Sequence, residues 1–124
     1  MPKKAAFAEM SDDTTDYIIC TMDDLPVSPA DDILHLSFAD TIEPDHPYVF
    51  TKEHARRIYQ FMHRQGAKEQ LCVCCDSGES RSPAIAAAVL EAQTDSAEVI
   101  WKNPEYHPNK LVHSLCTAVF MALG

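Results

Sequence analysis

Clusters of basic residues are missing from this chain: apart from Lys3-Lys4 and Arg56-Arg57, no Lys or Arg stands beside another, and 19 Asp and Glu outnumber 10 Lys and Arg to leave a formal charge of −9. A field of that sign repels nucleic acid and anionic membrane surfaces, so neither is expected as a partner. Long apolar runs are missing too. The longest, Pro83 to Leu90, falls far short of the ~20 residues needed to span a bilayer, and Met1 to Asp16 holds two lysines and four acidic residues without the apolar segment of a secretion signal. The five cysteines, Cys20, Cys72, Cys74, Cys75 and Cys116, are odd in number and lack the spacing of a secreted disulfide framework. A reducing compartment follows, and a cytoplasmic protein is the expectation. Cys72-Val73-Cys74-Cys75 has no second ligand pair at metal-binding spacing, so neither metal nor other cofactor is expected. No internal repeat or linker divides the chain.

What is present fits one domain: 124 residues, 46% hydrophobic and 23% charged. Residues 1–15 are polar and rich in turn formers, and are read as a flexible arm before a single domain over 16–124. Tyr17-Ile18-Ile19-Cys20 and Ile33-Leu34-His35-Leu36-Ser37-Phe38 are short β-forming segments bounded by Asp- and Pro-containing turns, and Gln70 to Cys74 supplies a third strand. Thr51 can cap a helix running through Gln65. Ala55, Ile58, Tyr59 and Met62 form its inner stripe, Arg56, Arg57 and Gln60 its wet side, and Gly66 its stop. Ser82 to Ala92 predicts a helix buried on nearly every side, and Leu111, Val112, Leu115, Cys116, Val119 and Phe120 mark a last one. Strands alternating with helices predict an α/β sandwich with a mostly parallel sheet.

Chemistry concentrates between the third strand and the Ala-rich helix, in Cys75-Asp76-Ser77-Gly78-Glu79-Ser80-Arg81-Ser82. A Gly-containing loop entering a helix presents backbone N–H groups and the positive end of the helix dipole to one small cavity, which suits an oxyanion. A cysteine at the loop's start feels the same field and the guanidinium of Arg81, and both favour thiolate over thiol. Arg81 can grip two phosphoryl oxygens with its planar donors. Gly78 permits the sharp curl. Ser82 stands where its hydroxyl can hydrogen-bond the sulfur and help it leave. Asp76, Ser77, Gly78, Glu79, Ser80 and Arg81 are thus the candidate phosphate-binding residues, with Cys75 the nucleophile.

This Cys-x-x-Gly-x-x-Arg-Ser stretch between a strand and a helix resembles the signature of cysteine-dependent protein tyrosine and dual-specificity phosphatases, and the resemblance extends more loosely from about Ile33 to Ala92. Small bacterial and phage-type members are most similar, including in the Asn109 to Val112 stretch that opens the last helix. The resemblance implies a three-layer sandwich with a central sheet of about four strands flanked by helices. It further implies hydrolysis of phosphate monoesters on proteins or small molecules through a phosphocysteine. A general acid on a loop upstream of the nucleophile belongs to the pattern, and Asp40 occupies the matching place, with Asp45 in reserve. Two departures stand out: Cys74 replaces the histidine that usually precedes the nucleophile, and Glu79 puts a carboxylate on the loop's rim. The lysines of phosphoinositide-cleaving relatives are absent from the loop.

Plainer roles compete with each of these. Asp40 can be a strand-end turn former and Asp45 a solvated loop residue. Cys72 and Cys74 read most simply as small buried hydrophobes, although Cys74 or another neighbour could trap an oxidised Cys75. His35, His54, His63 and His113 fit ordinary packing. Trp101, Tyr106 and His107 could wall a substrate pocket or merely anchor a surface loop. As whole functions, a phosphate-binding pseudophosphatase module and a redox or arsenate-handling enzyme are the rivals. Oligomeric state is left open.

Overall fold

The computed structural model describes residues 15–21, 33–68, 70–75, 78–94 and 96–124. Strands β1 (Thr15–Thr21), β2 (Ile33–Ser37) and β3 (Gln70–Cys75) form a sheet of order β2-β1-β3 in which both pairings are parallel. Parallel neighbours require crossover connections, and helix α1 (Lys52–Met62) lies between β2 and β3 in the chain. Helices α2 (Arg81–Thr94), α3 (Glu98–Trp101) and α4 (Lys110–Leu123) follow β3. β1 is central and every one of its residues is buried, which is why Tyr17 to Cys20 carries no alternation of polar and apolar side chains.

Side chains alternate across the sheet. Ile18, Cys20, Leu36, Val73 and Cys75 point to one face, where Ala55, Ile58 and Phe61 of α1, Ile85 and Ala88 of α2, and Val112, Cys116 and Phe120 of α4 close the main core. Full burial of a side chain such as Ile58 or Ile85 contributes about 1.5–3 kcal/mol. Tyr17, Ile19 and Cys74 make a separate cluster on the opposite face. The architecture is α/β with a parallel sheet, as expected. Among the described residues the sheet has three strands and α1, α2 and α4 share one face; a fourth strand and a helical layer on the other face are not among them.

Most boundaries lie close to the expected ones. β1 begins at Thr15, the last residue of the expected arm, so the expected boundary after it falls within the strand; the rest of that arm lies outside the described residues. Thr51 caps α1 through a capping box with His54, but the helix ends at Met62 rather than Gln65. A tertiary clamp accounts for the difference. Arg64 turns inward to donate to Asp16 at 2.6 and 3.1 Å and to the Phe61 carbonyl at 2.6 Å, which a continuing helix would prevent. Gly66, at φ 89°, follows in the turn instead of stopping the helix itself. Helix α3 was not expected; Ile100 seats it against Ala87 of α2. No helix among the described residues is long and apolar enough to cross a membrane.

Candidate active site

Cys75 is the last residue of β3 and Arg81 the first of α2, so the loop between them joins a strand end to a helix start. Cys75 is 1% exposed. Its Sγ accepts the backbone N–H of Gly78 at 3.3 Å and of Ser82 at 3.4 Å, and lies 3.3 Å from Ser82 Oγ. The curl that brings these donors back onto the sulfur passes through Gly78 at φ 75°, a left-handed conformation that a side chain resists. Asp76 and Ser77, two of the candidate phosphate-binding residues, lie outside the described residues.

Electrostatics sets this thiol apart from its neighbours. Burial pushes Cys75 up, but the Ser82 hydroxyl, the N–H groups of Ser82 and Gly78 and the charge of Arg81 together outweigh it and hold the thiol below its ordinary value. Burial without such donors pushes Cys20 well up and Cys74 and Cys116 to about 12. Cys74 points to the other face of the sheet, whereas Cys20 is the register partner of Cys75 on the same face.

Arg81 is 8% exposed, and its Nη1 donates to the Phe38 carbonyl at 3.0 Å. That carbonyl is firmly held. The Phe38 ring meets Phe50 edge-on at 4.9 Å and lies 5.5 Å from the imidazole of His54. Burial pushes His54 down, and its neutral Nδ1 accepts the Thr51 N–H at 2.9 Å. The capping box of α1 and the aromatic cluster beneath it therefore fix the carbonyl against which the guanidinium is set.

Asp40 stands three residues beyond β2, in a loop closed by the Ala39 N–H donating to the Tyr48 carbonyl at 2.7 Å. Its Oδ1 accepts the Ser80 hydroxyl at 2.8 Å and Asn109 Nδ2 at 2.8 Å. The carboxyl is thus brought against the loop that starts at Cys75. Asp45 lies in an exposed turn and makes no hydrogen bond to residues 78–82 among the described residues.

Asn109 is a residue whose part in the site was not foreseen. It caps α4 by accepting the N–H groups of Leu111 and Val112, and its own N–H donates to the Ser80 carbonyl at 3.0 Å. The signal was present in the sequence, since Asn before Lys-Leu-Val reads as a helix cap; nothing local revealed what else the amide would touch. Of the three possible wall residues, His107 reaches the described part of the loop, its N–H donating to the Glu79 carbonyl at 2.6 Å. Trp101 instead donates to Glu91 and packs on His113, and Tyr106 packs against the α2–α3 cluster. Glu79 is exposed on the rim. Two clefts, of about 330 and 760 Å³, lie beside Lys68 and Leu71 and beside His113 and Thr117, and neither is lined by Cys75 or Arg81.

No protein-family model matches the chain, and no curated protein does. Among solved structures, the crystal structure of the Cydia pomonella PTP-2 phosphatase is similar to it, with a TM-score of 0.65 over 94% of this chain and 78% of that one at 12% sequence identity. At that identity the likeness speaks for the backbone, and the chain has the fold of a protein tyrosine phosphatase-like protein.

Proposed function

We propose that this protein is a cysteine-dependent phosphatase, of the protein tyrosine or dual-specificity type, that hydrolyses phosphate monoesters through a phosphocysteine. The observation that carries this reading is the buried sulfur of Cys75, held toward its thiolate by two backbone N–H groups, the Ser82 hydroxyl and the charge of Arg81 at the start of a helix. Arrays of this kind favour an anionic nucleophile and an incoming oxyanion alike.

The chemistry runs in two steps. The Cys75 thiolate attacks phosphorus, the S–P bond forms, and the ester P–O bond breaks toward an oxygen that takes its proton from Asp40. Arg81 and the loop N–H groups carry charge on the equatorial oxygens. Water then attacks the phosphocysteine, Asp40 accepts a proton from it, and the S–P bond breaks to return the thiolate, which the Ser82 hydroxyl stabilises. Arg81 and the loop dipoles supply the positive charge, so the proposal invokes no metal. The substrate is a phosphorylated protein or a small phosphate monoester, acted on in the cytoplasm.

A second reading, a phosphate-binding module with little turnover, is favoured by one observation. Cys74 takes the place of the histidine usual before the nucleophile, and its thiol is buried on the opposite face of the sheet from the Cys75 sulfur. Phosphate release from 4-nitrophenyl phosphate by the wild type and Cys75→Ser, measured across pH beside phosphopeptide binding, separates the two. Release that vanishes in Cys75→Ser supports the enzyme. Tight phosphopeptide binding with no Cys75-dependent release sinks it in favour of the module.

A further inference from the structure

Asn109 is 5% exposed, and every hydrogen-bonding valence of its side chain is used. Oδ1 accepts from Leu111 N at 3.0 Å and Val112 N at 3.1 Å, while Nδ2 donates to Asp40 Oδ1 at 2.8 Å and to the Thr41 carbonyl at 3.1 Å. The amide has only one workable orientation. Turned over, it would set its oxygen against a carboxylate and a carbonyl, and its N–H₂ against two N–H groups. The backbone N–H of the same residue donates to the Ser80 carbonyl, and the Ser80 hydroxyl donates to Asp40 Oδ1 at 2.8 Å. Three parts of the chain therefore meet at one residue: the start of α4, the loop of the nucleophile and the loop of the acid.

Both donors converge on the same oxygen of Asp40. Oδ1 can receive two hydrogen bonds but has no room for a proton as well, whereas Oδ2 has no hydrogen-bond partner among the described residues. We propose that Asn109 and the Ser80 side chain are positioning residues that dock the acid loop on the cradle with Oδ2 as the proton-bearing oxygen, so that the acid is ready before substrate arrives. This deepens the phosphatase reading and rests on it. A general acid works only within hydrogen-bond reach of the leaving oxygen, and a misplacement of about 1 Å can cost up to ~10²-fold. Neither residue need touch substrate for its loss to be felt in the step that needs a proton.

Leaving-group dependence is the readout that a merely structural role would leave alone. Asn109→Ser keeps a good helix cap but cannot span to Asp40, and Ser80→Ala removes the other donor while keeping the backbone N–H, which is the group of residue 80 that the proposed cradle offers to phosphate. Turnover is measured on a series of aryl phosphates whose phenols run from strongly to weakly acidic, with the thermal midpoint followed in parallel. Each substitution is expected to lower kcat/KM, which reports the step that expels the leaving group, about tenfold or more on the poorest leaving groups and under about twofold on the best, steepening the dependence. In an Asp40→Asn background, neither is expected to cost more than about twofold, because the acid it positions is already gone. A Cys75-dependent kcat/KM that falls equally on every substrate, or stays unchanged, overturns the positioning role alone. Absence of Cys75-dependent turnover in the unaltered protein overturns the phosphatase reading itself. If Asn109→Ser fails to fold, Ser80→Ala decides, since its hydroxyl caps nothing.

Discussion

Cys20 and Cys75 are register partners on adjacent parallel strands and point to the same face of the sheet, yet one thiol is pushed well up and the other held down. The difference is where the strands end. β3 stops at Cys75, and the chain turns back to surround the sulfur with donors, whereas Cys20 sits within the core one residue before the end of β1.

Selective alkylation follows from that contrast. Cys75 is expected to react with iodoacetate at a rate that holds up to lower pH than that of an ordinary thiol, because its lowered pKa keeps thiolate present there. Cys20, Cys74 and Cys116, all shifted upward, are expected to stay unlabelled in the folded protein at neutral pH. Mass spectrometry of protein labelled between pH 5 and 9 checks this, and label on Cys20 ahead of Cys75 would contradict it.

Replacing Asp40 by Asn is expected to slow hydrolysis of an aryl phosphate by ~10²- to 10⁴-fold, the usual worth of general acid catalysis. Asp45→Asn, in an exposed turn, is expected to leave the rate within about twofold. Steady-state kinetics of the two variants decides the assignment, and a larger effect at position 45 would reverse it.

Arg81→Lys keeps the charge and loses the planar fork. Lysine can neither grip two phosphoryl oxygens side by side nor hold the Phe38 carbonyl in the same geometry. A fall of about 10²- to 10³-fold in kcat/KM is expected, together with weaker competition by inorganic phosphate. Near-normal kinetics in this variant would remove the guanidinium from the mechanism.

Arg64→Met tests the fold rather than the site. The Asp16 side chain is 5% exposed and depends on Arg64 for two of its hydrogen bonds, with the Lys68 N–H at 2.9 Å supplying another. Leaving that carboxylate without its cation is expected to cost about 3 kcal/mol, read as a lower urea midpoint with little change in slope. An unchanged midpoint would mean that water replaces the guanidinium at small cost.

Local patterns in the chain carried the strands, the three long helices, the Thr51 cap and the candidate loop from Cys75 to Ser82. Each of these is written in residues close together: β-forming triplets, apolar side chains at helical spacing, a glycine between a cysteine and an arginine. The early end of α1 was not legible, because Asp16 pulls on Arg64 from far along the chain. Nor was the role of Asn109, whose capping function is local while its bonds to Asp40 and Thr41 cross a long sequence separation. The sequence by itself determined which groups can ionise, cap and curl, since those are properties of side chains and short segments. Only the tertiary structure decided which of five cysteines is surrounded by donors and which oxygen of Asp40 is occupied, because both depend on distances that form when the sheet pairs and α4 packs against α2.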